Sequence, residues 1–298
     1  MLSLPKHLAR AARDTNLTIR TRCFGKRSMT FSFSATFFFV LLCIVLTTTL
    51  ALDLGNTALK YGVFGPAGLR ESGVLAAPAD LAALWQRTRP AHAILSSVAD
   101  EAGAQPWLGA LAAADGLRQI LPFRPGFTPV PVRNAYATPH TLGADRLAAA
   151  VGAASLRPGR PTLVLDAGTA LKLDLVTADS TYHGGSIAPG LGMRLQALHA
   201  FTGRLPLLEL PAAGTPVQLI GDSTASSLLS GVLRGTAAEV RGLVAEYEQL
   251  HPGLGLLLTG GDAPHLAAAL APPGRAIFVV PELVLLGLNK ILRYNVDN

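Results

Sequence analysis

Apolar and polar positions along residues 49–298 fall into short blocks. Apolar runs closed by turn residues predict strands at 49–52, 61–64, 93–98, 162–165, 173–176, 254–258 and 276–280. Helical spacing predicts a helix over 78–87, through Leu81, Leu84 and Trp85, and another over 105–114. An alanine-rich helix is expected over 142–150, and a further one runs through Leu195 and Leu198. A long helix is expected to run from a cap at Asp222 or Ser223 to about Tyr247, and a last one covers 282–292. Pro122, Pro125, Pro129, Pro131 and Pro139 mark a connector ahead of the alanine-rich helix. Strands and helices alternate throughout, so the class is α/β.

Two strand pairs share one turn. Asp53-Leu54-Gly55-Asn56-Thr57-Ala58-Leu59-Lys60 and Asp166-Ala167-Gly168-Thr169-Ala170-Leu171-Lys172 each follow an apolar run and lead into another. Glycine admits close backbone approach to an anion. Consecutive turn N–H groups and the Thr hydroxyl bond phosphate oxygens. An aspartate beside phosphate needs a cation between the two. The repeat predicts a duplicated domain with nucleotide phosphates held between its halves; two ordinary glycine-containing turns are the alternative.

The chain has a formal net charge of +6, which invites a nucleic-acid or membrane role. The charge sits at one end. Residues 1–46 carry Lys6, Arg10, Arg13, Arg20, Arg22, Lys26 and Arg27 against Asp14 alone, so the remainder is neutral and has no field to steer toward nucleic acid. Both cysteines, Cys23 and Cys43, lie there too, so the body forms no disulfide and no cysteine metal site. The basic stretch before the apolar run 37–46 has the outline of a signal peptide. That run, however, continues into the strand that delivers Asp53, and cleavage or anchoring there would disable the turn. Residues 1–46 are read as an atypical extension, either a disordered leader or a start assigned too far upstream, with a true signal or anchor as the alternative. The body divides into 47–158 and 159–298, is expected in the cytoplasm, and is expected to bind neither membrane nor nucleic acid.

No Gly-x-x-x-x-Gly-Lys-Ser/Thr or His-Glu-x-x-His occurs, nor any Gly-x-Gly-x-x-Gly after a strand. What remains suits phosphoryl transfer, which needs anchored phosphates, a divalent ion and a group to orient the acceptor. Asp53 is the candidate for Mg²⁺, and Asn56, Thr57 and Lys60 for phosphate oxygens, although Lys60 reads equally well as a solvated strand residue. Asp145, in the first turn of the alanine-rich helix, is either the general base toward an acceptor hydroxyl or an ordinary helix-start aspartate. Arg146 either clamps an acceptor carboxylate through two parallel N–H bonds or forms a surface ion pair. Gly260-Gly261 either brings backbone against adenine or ribose or makes a plain turn.

These residues resemble a known family. Asp53-x-Gly-Asn-Thr-x-x-Lys60, Gly143-Ala-Asp-Arg146, Asp166-x-Gly-Thr-Ala170, Gly184-Gly-x-Ile-x-Pro-Gly190 and Thr259-Gly-Gly261 stand in the order seen in type III pantothenate kinases, of the acetate and sugar kinase/actin-like superfamily. The resemblance runs from about residue 49 to the C-terminus. It implies duplicated actin/ribonuclease-H-like domains with mixed sheets flanked by helices. It also implies a homodimer that uses ATP to phosphorylate pantothenate to 4′-phosphopantothenate, the first step of coenzyme A biosynthesis. By the same resemblance Asp145 is the proton acceptor, and Tyr136, Gly143, Ala144, Arg146 and Thr224 contact pantothenate. Residues 53–60 and Thr169 contact ATP, and Asp166 holds a monovalent cation, potassium or ammonium. One departure stands out: Leu171-Lys172 occupies positions where small hydroxyl residues are expected, so Lys172 either replaces the cation or points outward. Another small-molecule kinase of this fold, or a non-catalytic relative resembling the accessory factors of virulence-gene regulation, is the alternative.

Overall fold

A computed structural model describes residues 16–22, 28–34, 47–55, 59–97, 101–112, 119–270 and 277–296. Within the N-terminal extension, β1 (Asn16–Arg22) and β2 (Ser28–Ser34) pair antiparallel as a sheet of their own. The apolar run 37–46, on which the signal or anchor alternative rests, lies outside the described residues.

The first large sheet begins with an antiparallel meander of β3 (Thr49–Leu54), β4 (Leu59–Gly65) and β5 (Gly68–Leu75). Then come α1 (Pro78–Thr88), β6 (His92–Ser97), α2 (Glu101–Ala112) and β7 (Gln119–Pro122), with β6 parallel to β3 and β7 parallel to β6. The connector contributes β8 (Arg133–Asn134) and leads into α3 (Ala144–Leu156).

The second large sheet repeats the plan. Its meander is β9 (Thr162–Ala167), β10 (Ala170–Val176) and β11 (Thr181–Pro189). After α4 (Leu191–Ala200), α5 (Thr224–Leu229) and α6 (Gly235–Leu250) come β12 (Gly255–Thr259), α7 (Ala263–Leu270) and β13 (Ile277–Val279), parallel to β9 and to β12 in turn. The strand orders are β5-β4-β3-β6-β7 and β13-β12-β9-β10-β11-β8. Apart from β8, both sheets place their first strand at the centre, the meander on one side and the two parallel strands on the other. The central strands Thr-Leu-Ala-Leu-Asp-Leu and Thr-Leu-Val-Leu-Asp-Ala are buried along nearly their whole length, which is why both read as continuous apolar runs.

Helices α3 and α8 (Leu283–Val296) join the halves. They approach so closely that a Cβ at Gly287 would lie 1.8 Å from the Ala148 carbonyl oxygen. Their apolar faces share one core with Ala51, Phe64 and Ile94 of the first sheet and Val176 and Tyr182 of the second. The Thr49 hydroxyl also donates to Asn289 Oδ1 at 2.7 Å, tying α8 to β3. The expected division at 158/159 thus separates the central meanders, while β8 pairs with β11 and α8 returns to the first sheet. No described helix is long and apolar enough to cross a membrane.

Several elements differ from the sequence expectation. Strands β5, β7 and β11 and helix α7 were not anticipated. The glycine-containing stretch before Gly190 carries no element predicted from sequence, yet it forms β11, and there Gly184, at φ +85°, lets the strand pass beneath the Tyr136 ring, 2.7 Å from where a Cβ would stand. The single long helix after Ser223 is interrupted by a π-helical stretch at Ser230–Arg234. There the Ser230 hydroxyl donates to the Leu219 carbonyl at 2.7 Å and Arg234 Nε to the Val217 carbonyl at 2.6 Å, fastening the preceding loop.

Candidate active site

Strand register, before any side-chain detail, places four charged residues. Asp53 stands directly opposite Lys60 across β3 and β4, and Asp166 directly opposite Lys172 across β9 and β10. Directly opposed residues share a face of the sheet, so each hairpin presents an Asp–Lys pair beside its turn. Of the first turn, Asn56, Thr57 and Ala58 lie outside the described residues, and with them their phosphate reading. Leu54 and Leu59 bury their side chains in the core, which leaves only their backbone to meet a nucleotide. Gly55 is half-buried, whereas Lys60 and Thr169 are exposed, and the Thr169 carbonyl accepts the Gly190 N–H at 3.0 Å.

The centre of the site is Lys172. Its ammonium donates to Asp145 Oδ2 at 2.6 Å and sits 2.7 Å from Asp166 Oδ2. Burial works against the charge on Lys172, but Asp166 and Asp145 outweigh it and hold its pKa above the ordinary lysine value. Asp145 is delivered by the first turn of α3, and its Oδ1 accepts the backbone N–H of Arg146 at 2.9 Å. Gly143 precedes it at the helix cap, where a Cβ would lie 2.7 Å from Asp145 Oδ1. The side chain of Asp145 stays 22% exposed, open to an acceptor. The Thr259-Gly260-Gly261 turn closes on the second hairpin: Gly260 has φ +91°, and a Cβ there would stand 2.6 Å from Asp166 Oδ1.

The two hairpin tips sense one another. Burial and then the charge of Asp145 push the Asp53 carboxyl up to about 6, Asp166 adds to the shift, and Lys60 and Ser96 oppose it. The charges of Asp145 and Asp166 thus reach Asp53 on the other hairpin, while Lys172 ties Asp145 and Asp166 together directly. The stability consequence has a definite sign. Because Asp53 holds its proton more tightly in the folded protein than at its ordinary value of 3.8, the fold loses stability as pH rises from about 4 to about 6 and no further above that. The loss is on the order of 1–3 kcal/mol. Asp53→Asn is accordingly expected to raise the denaturant midpoint at pH 7–8 and to flatten this part of the pH profile; an unchanged or lower midpoint at pH 7–8 contradicts the assignment.

Arg146 has a different neighbour from the one expected. The clamp foreseen for a substrate carboxylate is made inside the protein, to Asp174: Nε lies 3.1 Å from both Asp174 oxygens and Nη2 2.6 Å from Oδ1. Both side chains are buried, at 5% and 2% exposure, so the surface ion-pair reading fails as well. The Tyr182 hydroxyl donates to the same Asp174 Oδ1 at 2.9 Å. The Arg146 guanidinium lies 5.6 Å from the Tyr136 ring centroid, and Tyr136 and Tyr182 are stacked 6.1 Å apart. Burial opposes the charge on Arg146, but its bonds to Asp174 hold its pKa above the usual value. Burial and the same carboxylate push the Tyr182 phenol up. Half-buried Tyr136 and buried Ala144 thus flank the wall from which Asp145 projects. Thr224, the first residue of α5, is exposed and lines a cavity with Leu198, Leu205 and Ser227; it is not among the residues that meet around Lys172.

Asp174 and Tyr182 were missed from sequence. A signal was present: in Leu171-Lys-Leu-Asp-Leu-Val176 the two-residue period sets Lys172 and Asp174 on the face opposite Leu171, Leu173 and Leu175. Among the described residues no group of three or more His, Cys, Asp or Glu is arranged to hold a metal ion by itself. A single carboxylate such as Asp53, acting with substrate phosphates, is the arrangement Mg²⁺ commonly uses.

Comparison with known proteins identifies the family and the fold. The family model described as type III pantothenate kinase matches residues 49–246. The type III pantothenate kinase of Cytophaga hutchinsonii is 38% identical over 247 residues, covering 83% of this chain and 99% of that protein. That of Porphyromonas gingivalis is 46% identical over 169 residues, or 57% of this chain and 68% of the relative. Among solved structures, a putative Baf family transcriptional activator from Campylobacter jejuni superposes with a TM-score of 0.54 at 18% identity, over 84% of this chain and all of the other. A putative 2-dehydro-3-deoxygalactonokinase from Sinorhizobium meliloti gives 0.52 at 18% identity, over 83% and 99%. At such identity these structures speak for the fold alone.

Proposed function

Since this chain belongs to the type III pantothenate kinase family, we infer that it transfers the γ-phosphoryl group of ATP to the primary hydroxyl of pantothenate, with Asp145 as the group that orients the hydroxyl and takes its proton. The product is 4′-phosphopantothenate, the first intermediate toward coenzyme A. One observation supports the assignment above others: half-buried Asp145 is bonded to Lys172 beside Asp166 of the second hairpin, and its charge bears on Asp53 of the first.

Phosphoryl transfer proceeds through a loose transition state, so catalysis is mainly positioning and charge stabilisation. An ionised carboxylate held at one oxygen by an ammonium and at the other by a backbone N–H suits that task. Rotation of the base is restrained, while the proton need pass only as the new P–O bond forms. Exposed Lys60 and the backbone of Leu54, Gly55 and Leu59 are assigned to the nucleotide phosphates, and exposed Thr169 of the second hairpin is assigned with them. Mg²⁺, when bound, neutralises phosphate charge, and Asp53 is the residue that would hold it. Tyr136, Gly143 and Ala144 line the pantothenate side, and Arg146 serves it by fixing Tyr136 and Asp174 in place. The reading also includes a homodimer. Exposed Ile187, Met193, Phe201, Leu219 and Ile220, all on the second half, are apolar side chains in keeping with it. Thr224 is assigned to pantothenate across that interface. Sedimentation as a monomer would remove these two points. The body's lack of cysteine supports a cytoplasmic location.

The test is incubation of the purified full chain with ATP, Mg²⁺ and pantothenate, and in parallel with acetate and a panel of sugars. A phosphorylated product from pantothenate, detected by mass spectrometry, is expected. Unchanged pantothenate alongside a phosphorylated sugar or acetate would overturn the substrate assignment.

A further inference from the structure

The family resemblance assigns a monovalent cation to Asp166, and the residues around Asp166 do not fit one. The carboxylate oxygen Oδ2 is engaged by the Lys172 ammonium at 2.7 Å. The other oxygen faces the Thr259-Gly260-Gly261 turn, which approaches so closely that only glycine is tolerated there. Lys172 has not drifted into the gap by chance: strand register sets it opposite Asp166, as the homologous hairpin sets Lys60 opposite Asp53. It is 15% exposed and bonded to a second carboxylate from another element, Asp145 on α3. An ammonium and a bare monovalent ion carry the same charge and satisfy the same carboxylate lone pairs, so both cannot occupy this position.

We propose that Lys172 is a built-in substitute for the monovalent cation, bridging Asp166 and Asp145 so that turnover needs neither potassium nor ammonium. Its role is to position Asp145 and to screen the cleft carboxylates from the incoming triphosphate. The inference rests on the kinase reading above, and its experiment separates the two.

Turnover of the full chain is measured with the Tris salt of ATP, Mg²⁺ and pantothenate in tetramethylammonium chloride, with or without replacement by about 100 mM KCl at constant ionic strength. Wild-type rates are expected to agree within about twofold. Lys172→Met is expected to lose about tenfold or more and to recover on adding potassium or ammonium, whereas Lys172→Arg, which keeps the charge, stays insensitive to potassium. Melting of the ATP-free protein supplies a reading independent of activity: potassium should raise the Tm of Lys172→Met but not of the wild type, since only the variant has a vacant site for it to stabilise. A wild type whose turnover or Tm rises strongly with potassium overturns the proposal, as does a folded Lys172→Met that potassium does not affect. Should Lys172→Met fail to fold, the wild-type comparison decides alone. No turnover in any salt removes the kinase reading, and the melting comparison still settles what occupies Asp166.

Discussion

Replacing Asp145 by asparagine is expected to lower kcat for pantothenate phosphorylation by about 10²–10⁴-fold, the usual worth of a positioned general base. The structure makes the substitution unusually clean. Asparagine keeps the volume and still offers its carbonyl oxygen to either the Arg146 N–H or Lys172, both now held by the carboxylate. Asp145 is also partly exposed, so no buried charge is stranded. The loss should appear in kcat, with KM for ATP changed little, because the group acts on the acceptor hydroxyl rather than on nucleotide binding. Far-UV circular dichroism should be unaltered. A folded variant that retains more than about a tenth of wild-type kcat contradicts the role.

The second large effect falls on stability. Asp174→Asn leaves the Arg146 guanidinium buried with no counter-charge and weakens the acceptor of the Tyr182 hydroxyl. Breaking a buried pair by removing one partner costs about 3–5 kcal/mol. For a chain of this size that corresponds to a fall in Tm of roughly 5–10 °C. The same trio orders Tyr136, so residual activity at low temperature should show a raised KM for pantothenate before any fall in kcat. A double substitution, Asp174→Asn with Arg146→Met, should recover much of the lost stability, since no charge is then left unpaired. A single variant as stable as the wild type would show that the pair is not buried in solution.

Much of this arrangement was legible in the residues. The twin Asp-x-Gly hairpins give the duplicated meander, and the apolar runs that precede them become the two central strands. Asp145 emerges in the first turn of a helix, as its position after Gly143 indicates. The sequence was mute on partners separated along the chain. Arg146 reads as a free clamp because nothing local reveals that Asp174, 28 positions on, meets it across the core. Lys172 reads as ambiguous until register fixes it against Asp166 and the N-terminus of α3 is brought over it. Strand β11 was hidden by its glycines, of which Gly184 packs against Tyr136 and Gly185 against the Leu173 backbone. In each case the deciding contact is tertiary, and neither propensity nor period carries it.

The central claim is that the two hairpin tips close on the nucleotide while Asp145 addresses the acceptor. It is tested most directly by a crystal structure with pantothenate and a non-hydrolysable ATP analogue bound together. The quantity to read is the distance from the nearer Asp145 carboxylate oxygen to the primary hydroxyl of pantothenate. A separation of about 2.6–3.2 Å, with the triphosphate lying between the Asp53 and Asp166 turns, is the predicted result. A hydroxyl bound beyond reach of Asp145 even through one water, or a triphosphate seated away from both turns, would contradict it.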